Sequence, residues 1–161
     1  MTESERHELY RNAWTSYDNG EPKEAIALLN DVISQTTSHK LKSLYLGTLG
    51  LFLQESDELD LALSACKEAI ELAPKNADAL TQIGIVKLKL NDEVAAIDYF
   101  ERATSIQPTE YNWTFLAKSQ LRTAPIAAKL SAENALALNS EWDEARIVLI
   151  AAQKAIKAEG H

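Results

Sequence analysis

The residues of this chain best suited to chemistry are its carboxylates. Four acidic pairs, Glu21 with Glu24, Glu58 with Asp60, Asp92 with Glu93 and Asp143 with Glu144, have the residue types that general acid–base catalysis uses. Such catalysis needs two carboxyls converging in a shielded pocket. Each pair falls instead at the start of a predicted helix, where negative charge meets the positive end of the helix dipole. That placement explains the acids without a reaction. The histidines, His7, His39 and His161, lie in different segments, a poor arrangement for a shared metal. Cys66 stands alone, which excludes an intramolecular disulfide and a multi-cysteine metal site. Phosphate-binding glycine loops, H-E-x-x-H and EF-hand loops are all missing. The expected protein is not an enzyme and uses no metal and no cofactor.

Composition narrows the partners. The chain has 161 residues, 46% hydrophobic and 25% charged, which suits one ordinary globular domain rather than a disordered chain. Five glycines and four prolines are too few for a turn-rich all-β design. Sixteen basic residues against 24 acidic ones leave a net charge of −8, which repels nucleic acid and anionic membranes. The charge is uneven: residues 1–110 hold 19 acids and 10 bases, whereas residues 111–161 hold 5 and 6. The opening residues MTESERHELYRN lack the apolar stretch of a signal peptide, and no run of 18 apolar residues occurs. A cytoplasmic location is the expectation.

The elements that position these side chains follow from an internal repeat. Gly50 and Gly84, Ala62 and Ala96, Ala69 and Ala103, and Pro74 and Pro108 are each 34 residues apart. The apolar pairs Leu46 and Leu80, Leu49 and Ile83, Leu63 and Ile97, and Leu72 and Ile106 keep the same step. Small, apolar and proline positions held in one register at this period resemble the tetratricopeptide repeat, which pairs W-x2-L-G-x2-Y with a later A-x3-F and a closing proline. Two complete units, 43–76 and 77–110, carry the resemblance. It implies an all-α fold, a right-handed superhelical solenoid of helix-turn-helix pairs.

Weaker copies flank these units. Leu9, Ala13, Ala25, Ile26 and Val32 lie 37 residues before Leu46, Gly50, Ala62, Leu63 and Ala69, and the polar run QTTSHK absorbs the added length. Asn12 stands where a buried leucine is usual. Downstream, Trp113, Leu116 and Ala117 repeat the first signature, and Ala128, Ala135 and Leu138 the second, at slightly shortened steps. The expected organisation is a single domain over 1–161, with repeats at about 6–39, 43–76, 77–110 and 110–140. A capping helix at 141–158 follows, its apolar face carrying Ile147, Val148, Ile150, Ala151 and Ala155. Thr2 with Glu5 and Ser140 with Asp143 read as capping boxes. Pro22 and Pro125 suit first helical turns, and Pro74 and Pro108 end second helices. Cys66 takes the inward position that Phe100 holds one unit later, so a buried structural thiol is expected.

The resemblance also implies where a partner binds. In that family, fixed positions of each first helix line the concave groove. Matched to this sequence, they place Tyr10, Arg11, Trp14 and Tyr17 in the first unit and Thr48 and Leu51 in the second. Gln82, Ile85 and Leu88 follow in the third, and Phe115, Lys118 and Arg122 in the fourth. Tyr10, Trp14 and Tyr17 form an aromatic run at helical spacing, either a binding hot spot or a cover for an exposed first repeat. Leu51, Ile85 and Leu88 continue an apolar floor, and Lys118 with Arg122 puts positive charge at the far end. The clamp that holds chaperone carboxylate tails in this family needs Lys, Asn and Arg where this chain has Tyr10, Trp14, Thr48, Asp78 and Gln82, so that subtype is not expected. The reading is an interaction module for another protein or peptide, apolar with basic character. Alternatives are a secretion-chaperone-like protein holding an export substrate, an acidic inhibitor of a basic enzyme, and a self-assembling homodimeric scaffold.

Overall fold

The computed structural model describes residues 1–159, the side chain of residue 159 excepted; His161 lies outside the described residues. These form α-helices and connecting turns with no strand among them: α1 Glu3–Asp18, α2 Pro22–Ser34, α3 His39–Glu55, α4 Leu59–Leu72, α5 Ala77–Lys89, α6 Glu93–Ile106, α7 Glu110–Gln120, α8 Pro125–Leu138 and α9 Asp143–Glu159. No described helix is long and apolar enough to cross a membrane. The chain falls into two compact units, Met1–Val86 and the part from Lys87 onward. In the first, α1 packs on α2, α2 on α3 and α3 on α4. In the second, α6 packs on α7, α7 on α8, and α9 on both α7 and α8.

Local chemistry sets the helix boundaries. The Thr2 hydroxyl accepts from the Glu5 amide while the Glu5 carboxylate accepts from the Thr2 amide, closing the capping box. Pro22 and Pro125 open α2 and α8, where a missing N–H costs nothing. Ala73 and Gln107, each preceding a proline, are pushed to extended backbone (φ −145° and −138°) and end α4 and α6. Asn139 ends α8 in the same conformation without a following proline. At the other end of the chain the expected box does not form. Helix α9 begins at Asp143, with the Trp142 carbonyl accepting its first backbone bond. Arg146 instead reaches back to the Asp143 carboxylate and the Ser140 carbonyl.

Within the first three pairs, the turn uses one left-handed residue. Gly20 (φ 79°), Asp57 (φ 62°) and Asn91 (φ 58°) supply it two residues before α2, α4 and α6. Their spacing of 37 and then 34 reproduces the stretched and regular periods of the sequence. The turn before α8 uses no such residue.

Small side chains let the helices approach. Ala13, Ala25, Ala62 and Ala69 are fully buried in the first unit, and Ala117, Ala128, Ala132 and Ala135 in the second. Ala117 and Ala132 join Val148 of α9 in one cluster, with Leu149 packed against it. Asn12, at the position where a buried leucine is usual, is exposed. Cys66 is 1% exposed, and burial pushes its thiol up to about 12. The folded chain is therefore expected to resist alkylation at mildly alkaline pH and to label only as urea unfolds it. Stoichiometric labelling before unfolding would show that Cys66 is accessible after all.

Candidate functional site

The first helix holds its aromatic residues at i, i+4 and i+7, so Tyr10, Trp14 and Tyr17 share one face. Helix α3 answers with Tyr45 and Phe52, seven residues apart and almost fully buried. Tyr10 packs on Tyr45 with ring centroids 4.9 Å apart, and its hydroxyl is 3.0 Å from the Thr48 hydroxyl. Tyr17 stacks on Phe52 at 4.3 Å, and Trp14 meets both rings edge-on, at 5.0 Å from Phe52 and 5.9 Å from Tyr17. The aromatic run thus clamps α1 to α3. Tyr10, Trp14 and Tyr17 remain half-buried, so each also keeps an outward edge. Phe52 and Tyr45, which hold the cluster, were not among the candidate residues. Their i, i+7 spacing opposite a matching stripe on α1 was the available signal.

Acids surround the end of this cluster. Tyr17, Gly20, Pro22, Lys23, Glu55, Ser56 and Glu58 line an open cleft of about 520 Å³. The Tyr17 phenol is held above its ordinary pKa, first by partial burial and then by the charges of Glu55 and Asp18. Glu55, Glu58 and Asp18 are all exposed. A cavity with an aromatic wall and a carboxylate rim suits a cationic side chain, which gains from both ring face and charge.

The remaining candidates of the first unit are placed differently. Arg11 is exposed and Leu51 half-buried. Thr48, Gln82 and Ile85 are 8%, 7% and 7% exposed, so they belong to the interior rather than to an open floor. Thr48 also donates to the Leu44 carbonyl. The Gln82 side-chain oxygen is buried without a hydrogen-bond partner. A polar network that the repeat pattern did not reveal lies nearby in sequence. Asn76 caps α5 through the Ala79 amide and donates to the Ser43 carbonyl and hydroxyl, while the Ser43 hydroxyl donates to the Ala69 carbonyl.

In the second unit the expected positive end is neutralised. Lys118 lies 4.7 Å over the Phe115 ring and 2.7 Å from Glu144. Arg122 donates from Nε to both oxygens of Glu93, at 2.8 and 3.0 Å, which holds its guanidinium above the ordinary pKa. Both pairs join residues far apart in sequence, so spacing could not foretell them. Phe115 stacks on Phe100 at 5.5 Å and meets Tyr111 at a tilt of 58° and 4.8 Å, and Leu88 is half-buried. Trp113 borders a shallow cleft of about 430 Å³ with residues of α6 and α8. The Trp142 indole nitrogen is buried without a partner. Among the described residues, no three His, Cys, Asp or Glu side chains converge into a metal-holding group.

Helix pairs joined by left-handed turns, with small residues at fixed positions of each pair, define an all-α solenoid repeat of the kind that serves as a protein-interaction module. Residues 45–76 and 77–110 match the tetratricopeptide repeat, so the chain contains two units of that repeat. The BBSome complex member BBS4 of Bos taurus is 32% identical over 85 residues, which cover 53% of this chain. The match spans only 16% of that relative's length. A tetratricopeptide repeat protein from Parabacteroides merdae superposes with a TM-score of 0.75 at 17% identity, over 92% of this chain and 59% of that one. The first tetratricopeptide domain of Spaghetti (RPAP3), bound to the HSP90 peptide SRMEEVD, superposes with a TM-score of 0.69 at 18% identity, over 73% of this chain and 95% of that one.

Proposed function

We propose that this chain is a non-catalytic adaptor that holds a peptide or helical segment of another protein against the α1 and α3 face of its first unit. The carrying observation is the aromatic cluster of Tyr10, Trp14 and Tyr17 keeping outward edges beside the exposed carboxylates of Asp18, Glu55 and Glu58. Rigid aromatics supply contact area at low entropic cost, and the acids select the charge of what they meet. The preferred segment is apolar with one or two basic residues, a cationic side chain entering the cleft beside Tyr17. The solved relative bound to SRMEEVD takes a peptide rich in acids. This chain carries Tyr10, Trp14, Thr48, Asp78 and Gln82 where the family's carboxylate clamp needs basic and amide side chains, so its preference runs the other way.

Selection from an unbiased displayed-peptide library tests the reading. Enriched peptides are expected to combine aromatic or aliphatic residues with Lys or Arg. The surface variant Asp18→Lys/Glu55→Lys is expected to weaken their binding by about tenfold or more, with a smaller loss at high salt. Enrichment of acidic peptides, or equal binding by the charge-reversed variant, would remove this site from consideration.

A further inference from the structure

The last helix carries two faces. Ala145, Val148 and Ala152 are buried against the second unit. On the opposite side, Asp143, Ile147, Ile150 and Lys154 follow one another at steps of four, three and four, which places them in a single stripe along the helix. All four are exposed: Ile147 by 67%, Ile150 by 61%, the Asp143 side chain by 80%, and Lys154 likewise in the open. The single apolar face expected of a capping helix is therefore split, because Ile147 and Ile150 lie roughly half a turn from Val148 and Ala152 at about 100° per residue. Isolated surface isoleucines need no explanation. Two of them centred on a stripe that begins with an acid and ends with a base do.

We propose that this stripe pairs with the same stripe of a second copy of the chain, the two α9 helices running antiparallel about a two-fold axis. The point midway between Ile147 and Ile150 is also midway between Asp143 and Lys154. One two-fold axis through that point sets each Ile147 against the other copy's Ile150 and each Asp143 against the other copy's Lys154. The pattern is complementary to its own antiparallel image, as an isologous contact requires. A parallel copy would oppose Asp143 to Asp143 and Lys154 to Lys154. Antiparallel helices also bring the N-terminal end of one dipole beside the C-terminal end of the other. Asp143 now bonds Arg146 Nη1 at 2.9 Å, an exposed pair on its own helix that is weak enough to be exchanged or shared. The net charge of −8 opposes self-association through the acidic part, whereas residues 111–161, with five acids and six bases, impose no such penalty. This contact lies in the second unit, apart from the aromatic cluster of the first.

The stripe spans about 16 Å along the helix, so the contact is smaller than a standard interface and the dimer should be reversible, with a dissociation constant on the order of 100 μM. Sedimentation equilibrium of the full chain from about 10 μM to 1 mM, a range bracketing that value, is expected to show the mass rising toward a dimer. Because the contact is symmetric, each substitution acts twice. Ile147→Asp should weaken the dimer by more than about thirtyfold, and Asp143→Lys or Lys154→Asp alone by about tenfold. The combined Asp143→Lys/Lys154→Asp variant, which restores complementarity, should return to within about threefold of the parent. Far-UV circular dichroism of these exposed-site variants confirms that they remain folded. A chain that stays monomeric throughout the range would overturn the proposal and leave the stripe to a different protein. A dimer unaffected by Ile147→Asp, or a double reversal no better than either single one, would overturn it too.

Discussion

Phe52→Ala is expected to destabilise the protein by about 3–5 kcal/mol, the range for removing a fully buried aromatic ring. Against a total stability of about 5–15 kcal/mol for an ordinary domain, that is enough to threaten the first unit outright. The expectation rests on what Phe52 touches. It is 0% exposed, stacks within 9° of parallel on Tyr17, and presents its face or edge to Trp14 at 82°. Removing it leaves a cavity and also releases two aromatic side chains of α1, Trp14 and Tyr17. Urea unfolding followed by far-UV circular dichroism should show the loss. Phe52→Leu, which retains most of the volume, should cost less than about 1.5 kcal/mol. A loss below 1 kcal/mol for the alanine variant would mean that α1 is held by something other than this cluster. The same contacts alter what Trp14 can report: truncating it would be expected to reduce stability as well as partner affinity, so a binding defect in Trp14→Ala alone would not establish a binding site. The surface acids Asp18 and Glu55 are cleaner probes.

Gly50→Ala should have the second-largest effect, with a sign opposite to the usual one. In a helix interior this change ordinarily stabilises by about 0.5–1 kcal/mol, because glycine loses more backbone freedom on folding. Here a Cβ at position 50 would overlap Cys66 Sγ. Cys66 is 1% exposed, and moving its sulfur aside would disturb a close-packed interior, so the cost of overpacking, about 1–3 kcal/mol, should win. Cys66→Ala removes the obstructing sulfur and by itself should cost about 1–2 kcal/mol through the void it leaves. The two changes touch the same volume, so together they should cost at least about 1 kcal/mol less than their separate losses combined. A double-mutant cycle in urea measures this directly. Strict additivity would show that α3 and α4 shift apart to admit the methyl group, and that the glycine is not there for close packing.

The helix pairs, most of the helix boundaries and the small residues between them were legible in the sequence because each depends on local spacing. The 34-residue step of Gly50 and Gly84 or Pro74 and Pro108, the capping of α1 by Thr2 and Glu5, and the prolines opening α2 and α8 all act within a turn or a repeat. A period states which side of a helix is apolar, and tetratricopeptide stacking follows from that. It does not state what covers that side, and there tertiary structure decided. Tyr10, Trp14 and Tyr17 found Tyr45 and Phe52 on another helix, which turned an open aromatic face into a half-buried clamp. Lys118 and Arg122 found Glu144 and Glu93, 26 and 29 residues away, and lost the free positive charge their position suggested. The sequence pattern puts the isoleucines of α9 on one apolar face with Val148, yet Val148 is buried while Ile147 and Ile150 are exposed on another side of the helix. Helix periodicity is a property of consecutive residues and survives in one dimension. Neutralisation and burial belong to pairs brought together by folding.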